Sequence, residues 1–187
     1  MGRYFTGNAD VQQALRRITS RLEELAIPYA VVGGMALVAH GYMRTTEDVA
    51  LLVTPDGLAA IHAALNGVGY VPPFAGSKQL RDVEANTRIE FLVTGQFPGD
   101  GRPKPVAFPD PGAAGVDIHG IRYLALPALV DSKLAPGMTN VGRLRDLADV
   151  QELIRLLPLS ERFADQLHPY VRETFLQLHR AVSSNPS

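Results

Sequence analysis

The sequence contains no cysteine. That removes disulfide bridges, thiolate nucleophiles and cysteine-based zinc sites together. No basic start leads into an apolar stretch of the signal-peptide kind, and no run approaches the ~20 apolar residues that span a bilayer, so a cytoplasmic chain with no membrane segment is expected. Charge of either sign is also in short supply as an excess: 18 Lys and Arg stand against 19 Asp and Glu, a formal net charge of -1. Any polyanionic ligand must therefore be met by a local patch rather than by the field of the whole molecule. Histidine is sparse and scattered. His62, His119, His168 and His179 offer no zinc-type spacing with a third ligand, and His40 reads as a residue that caps or packs the end of a short helix.

With 187 residues, 46% of them hydrophobic, there is enough apolar material for one sizeable core and a small helical appendage. Val11, Ala14, Leu15, Ile18, Leu22 and Leu25 recur at helical spacing and predict an amphipathic helix over 10–26. Pro28 ends it. Tyr29 to Val32 reads as a buried strand, Gly33-Gly34 as the turn into a short helix, and Asp48 to Val53 as the next strand. Pro55-Asp56 then opens a helix that closes near Gly67. Leu80 to Val83 and Arg88 to Val93 flank a hairpin turn, with Ile89 and Phe91 alternating against Arg88 and Glu90, so Glu90 should face away from Ile89.

Residues 96–115 are rich in Gly and Pro and predict an irregular, ordered loop. Within and near it, Phe97, Phe108 and Tyr123 accompany Arg102, Lys104 and Arg122, a mixture suited either to stacking an RNA acceptor or to a lid packed on the core. A second small hairpin is expected over 116–124, and helices over 128–134, 143–157 and 160–181. The expected organisation is an α/β (α+β) core over 1–126 with a small mixed β-sheet flanked by helices, a C-terminal helical part packed on it over 127–182, and a tail over 183–187.

The chemistry concentrates between Gly33 and Val53. A double glycine between strand and helix lets backbone approach a ligand closely and leaves N–H groups for phosphate oxygens. Arg44 can neutralise phosphate, and the hydroxyls of Thr45 and Thr46 can bond it. Phosphoryl and nucleotidyl transfer draw on divalent ions held by hard oxygen ligands, and two carboxylates at i and i+2 of a strand project from one face to hold them. Asp48 is the first of such a pair. The second place is taken by Ala50, which has no ligand to give, and Glu47 projects from the opposite face.

The stretch GG-x-A-x-x-x-H-G-x-x-R-T-T-x-D-V-A, Gly33 to Ala50, resembles the signature of the polymerase-β nucleotidyltransferase superfamily in its minimal bacterial branch, which includes AbiEii-type toxins. Glu90 stands where that family carries a third carboxylate on a neighbouring strand. The segment Leu129 to Ile154 resembles its lysine followed by an Arg-Asp-x-x-Asp helix. The resemblance implies a nucleotidyltransferase fold in which Gly33 and Gly34 hold an NTP, Asp48 and Glu90 ligate Mg²⁺ or Mn²⁺, and Glu90 takes the acceptor's proton. Lys133 approaches phosphates or acceptor, and Asp146 or Asp149 orients it. The implied acceptor is RNA, tRNA first, then a protein side chain or a small hydroxylated molecule, and a cognate antitoxin is the implied partner. Ala50 departs from the pattern and implies an inactivated chain, through deliberate exchange or natural degeneration. The alternatives are a catalytically dead nucleotide-binding module and a protein-interaction module. Read from composition alone, Lys133 is a snorkelling surface lysine, Arg143, Arg145, Asp146 and Asp149 a solvated ion-paired face, and Glu90 an exposed sheet residue.

Overall fold

The computed structural model describes the backbone of residues 3–185 and the side chains of residues 8–185. Its first helix, α1 (Arg3–Glu24), starts ahead of the predicted Asp10 and buries Val11, Ala14, Leu15, Ile18 and Leu22 along one face. The chain then turns through Ala26, which has a left-handed φ of 54°, into β1 (Tyr29–Val32), buried at every position. Without an intervening loop β1 passes into α2 (Gly33–Ala39). β2 (Asp48–Val53) follows, and α3 (Pro55–Leu65) begins where the Thr54 hydroxyl accepts from the Gly57 N–H at 3.0 Å and proline occupies the first turn, a pairing that suits both residues.

Two short strands, β3 (Tyr70–Val71) and β4 (Leu80–Asp82), lead to β5 (Thr87–Val93); a one-turn helix α4 (Pro111–Ala114) precedes β6 (Gly115–Ile118) and β7 (Ile121–Leu124). The helices α5 (Leu126–Thr139), α6 (Leu144–Leu156) and α7 (Pro169–Ser184) complete the chain. Among the described residues, these seven strands form one sheet in the order β3-β4-β5-β2-β1-β7-β6. β2 with β5 and β1 with β7 run parallel, and the other neighbouring pairs antiparallel. The expected mixed α/β architecture with a helical C-terminal part is what the chain adopts. A single hydrophobic cluster extends from Val11 in α1 through the sheet to Phe175 in α7.

Some local expectations are corrected. The helix predicted over 160–181 is divided: a 3-10 segment over Glu161–Gln166 stops before α7. Pro169 imposes the break, because it holds His168 in an extended conformation (ψ 135°) and offers no N–H. β3 and α4 are too short to show a periodicity in sequence. Ser183 and Ser184 close α7 rather than begin a tail, and residues 186–187 lie outside the described residues. Among those described, no helix is long and apolar enough to cross a membrane.

Candidate functional site

The β1 to α2 turn and the two parallel strands beside it build one surface. Val32 pairs with Ala50, and Gly33 adopts φ +66°, where a Cβ would stand 3.3 Å from that of Ala50. A left-handed backbone and a close neighbour both call for glycine here. Gly34 meets a different need. A Cβ on it would come within 2.9 Å of the Thr46 Oγ1, so its bareness admits Thr46, whose hydroxyl donates to the Asp48 carbonyl at 3.2 Å. Thr46 is buried and committed to shaping the turn, while Thr45 is exposed.

On β2 and β5 the register sets Asp48 opposite Arg88 and Ala50 opposite Glu90. Residues two apart on each strand share a face, so these four look out together; Ile89, between them, is wholly buried on the other side. Arg88 donates to the Asp48 carboxylate. That bond, with the attraction of Asp48 and a smaller one from Glu90, holds the guanidinium above its ordinary pKa against the cost of burial.

Gly33, Ala50 and Glu90 open into a cavity of about 470 Å³. Its far wall is α5, with Leu129, Ser132 and Lys133, joined by Arg143 and Asp146 at the start of α6. Its roof is the Gly/Pro loop, with Phe97, Gly99 and Phe108. Gly99 (φ +87°) lies so close to α5 that a Cβ would fall 2.6 Å from that of Pro136. Lys104 turns inward to bond Asp100, Phe108 and Tyr123 are buried, and Arg102 stays exposed. The loop is therefore packed on the core, as a lid would be, and does not spread a basic and aromatic surface.

Behind the cavity runs a chain of charges. Lys133 Nζ donates to Asp149 at 2.8 Å and to Asp146 at 3.3 Å; Arg143 Nε donates to Asp146 at 2.6 Å. Arg44 donates to both oxygens of Asp149, at 2.9 and 3.0 Å, and lies 5.8 Å from the centre of the Tyr42 ring. Asp146 and Asp149 are buried. The solvated-face and snorkelling alternatives for Lys133, Asp146 and Asp149 are thus corrected: the i, i+3 spacing of 146 and 149 aims both carboxylates at one lysine. Arg44 ties the loop before β2 to α6 rather than standing free for phosphate.

Of the residues singled out in sequence, Gly33, Ala50, Glu90, Lys133 and Asp146 meet around the cavity. Asp48 shares the strand face without lining the cavity, and Gly34, Arg44, Thr45, Thr46 and Asp149 support the surroundings. Arg88 and Arg143 carried no site role in sequence, Arg143 being read there as part of a solvated ion-paired face. For Arg88 the signal was its two-residue spacing from Glu90, which predicts a common face; for Arg143 the i, i+3 spacing predicted its bond to Asp146, but its place at the cavity depends on how α5 and α6 pack. A larger groove of about 630 Å³ lies between α1 and β4, where Arg17 clamps buried Asp82 at 3.0 Å. It holds none of the glycine-turn, β2 or β5 residues singled out in sequence, so the smaller cavity, which Gly33, Ala50 and Glu90 border, has the better claim to chemistry.

Among the described residues no three His, Cys, Asp or Glu side chains gather as a metal cage. Asp48 and Glu90 sit diagonally across the parallel pair with Ala50 between them. This donor set does not fit two ions. It does fit one, since magnesium is commonly held by one or two carboxylates together with the phosphate oxygens of its nucleotide.

Among solved structures, the chain is similar to an antigenic nucleotidyltransferase-like protein from Paracoccidioides brasiliensis, with TM-score 0.59 and 16% identity over 96% of this chain and 90% of that one. It is also similar to a candidate nucleotidyltransferase from H. pylori, with TM-score 0.50 and 16% identity over 96% and 84%. At this identity the likeness establishes the fold, which is that of nucleotidyltransferases. No protein-family model and no curated protein matches the sequence.

Proposed function

We propose that the cleft over β2 and β5 binds a nucleoside triphosphate, and that the chain is a nucleotidyltransferase whose transfer step is crippled by alanine at position 50. The observation that carries this reading is the register of two parallel strands, in which Ala50 faces Glu90 and Asp48 shares their side, over a cavity that Gly33 borders. The acceptor hydroxyl oxygen would bond to the α-phosphorus as the bond to the departing pyrophosphate breaks, its proton passing to Glu90. Asp48 and Glu90 would hold one Mg²⁺ or Mn²⁺, which when bound screens the charge of the triphosphate. Lys133, fixed by Asp146 and Asp149, would present its ammonium to phosphate or acceptor from the opposite wall.

Without a second strand aspartate, charge compensation in the transition state falls short by about 3 kcal/mol or more, a rate loss of about a hundredfold or greater. Incubating native and Ala50→Asp protein with labelled NTPs, Mg²⁺, total RNA, protein and small hydroxylated compounds tests this. The expected result is labelling of one acceptor class by Ala50→Asp at a rate at least about a hundredfold above native. No labelling by either version, with nucleotide still bound, would favour the second reading: a nucleotide-binding module without turnover.

Resemblance to the toxin branch makes RNA, tRNA above all, the first acceptor to try and a cognate antitoxin the partner to seek. Among the described residues, Lys133 and Arg143 are the cations that line the cavity, and buried aspartates offset the charge of both, a poor match for a long nucleic-acid backbone. That favours a small hydroxylated acceptor as the next class.

A further inference from the structure

We infer that Arg88 stands in for the second divalent ion of this cleft, making it a site for one metal ion with a nucleotide. The inference rests on the nucleotide-binding reading above and adds a residue to it. Arg88 lies directly across from Asp48 and two residues before Glu90, so its guanidinium shares their face. It bonds the Asp48 carboxylate beside the cavity, and its side chain is half exposed, so a ligand seated over the strand face can reach it.

Charge supplies the reason. A two-ion cleft differs from this one by an aspartate at position 50 and by a second divalent cation; together they contribute a single positive charge. One guanidinium contributes the same. Arg88 thus restores the electrostatic balance that a triphosphate requires, and a planar fork of donors suits phosphate oxygens as well as it suits a carboxylate. In the nucleotide-free protein Arg88 neutralises Asp48 and competes with any metal ion arriving alone. With nucleotide and metal both bound, Asp48 would serve as a metal ligand and Arg88, released from it, would bond phosphate oxygens. Arg88 therefore acts as a positioning residue that disfavours bare metal and favours the metal-nucleotide complex.

Binding of Mn²⁺, followed by electron paramagnetic resonance and calorimetry with each of the four ribonucleoside triphosphates, tests this without any turnover. Native protein should hold one Mn²⁺ per bound nucleotide. Arg88→Gln should weaken nucleotide binding about tenfold, as expected for loss of a charge-assisted hydrogen bond, while binding Mn²⁺ alone more tightly than native protein does. Arg88→Lys should recover part of the nucleotide affinity, and thermal melts of both variants establish that the fold is intact. Two Mn²⁺ per nucleotide in native protein, or unchanged nucleotide affinity in Arg88→Gln, would overturn the role of Arg88 and leave the nucleotide-binding reading standing. No binding of any triphosphate by native protein would overturn both.

Discussion

Asp131, on α5, receives the backbone N–H of His168 at 2.9 Å where α7 begins. Burial pushes its carboxyl up from 3.8 to about 6, with the His168 hydrogen bond opposing. A carboxyl raised by folding contributes stability that is fully present below about pH 4 and is lost as the pH rises through about 6. The substitution Asp131→Asn would keep an oxygen for the His168 N–H and shed the buried charge. That variant should be more stable than native at pH 8 by about 1 kcal/mol, after allowance for screening at a partly exposed group, and equal at pH 4. Urea melts at the two pH values check it; equal stability at pH 8 would mean the carboxylate is better solvated than its position indicates. A second residue-scale prediction concerns Gly33→Ala. It sets a Cβ in a left-handed backbone against Ala50 and should cost about 1–2 kcal/mol in the same melts. At this scale the sequence was most legible where local geometry decides. Gly33, Asp48, Ala50 and Glu90 follow from a turn and a two-residue period. The partners of Arg44 did not, because Asp149 lies 105 positions away and no local rule reaches it.

Between elements, Asp149 matters most. It is the common acceptor for Arg44, from the loop before β2, and Lys133, from α5. Removing it strands Arg44 and leaves Lys133 only its longer bond to Asp146, and breaking a buried pair from one side costs about 3–5 kcal/mol. Asp149→Ala should therefore lower stability by about 3 kcal/mol or more in chemical denaturation. Asp146→Asn should cost less, since Lys133 keeps its shorter bond to Asp149. Equal losses would show that the two acids share the lysine evenly. Helix and strand positions were largely readable, since β1, β2, β5 and β7 each carry an unbroken apolar or alternating run. The split before α7 escaped the apolar period, which continues across Pro169; steric exclusion by the proline ring, not hydrophobic pattern, sets that boundary. That α5 and α6 face the cavity was legible only through the resemblance that singled out Lys133 and Asp146, because the pairing of the two helices is a matter of packing.

Over the whole molecule, the hydrophobic cluster runs unbroken from α1 to α7 and takes in residues of the sheet and of all three C-terminal helices. Such continuity predicts one cooperative unfolding transition, with fluorescence and circular dichroism traces that coincide; two separated transitions would mean that the C-terminal helices melt independently. The strand order carries a further meaning for synthesis. β1 is paired on one side by β2 and on the other by β7, with Val31 beside Tyr123. While the chain emerges from the ribosome, one flank of β1 must wait uncovered until β7 is translated. A nascent chain in that interval presents an apolar, bare-edged strand, and such edges invite wrong pairings. Yield of this protein should thus depend on how quickly translation passes the Gly/Pro loop, and slow codons placed there should send more of the product into aggregates.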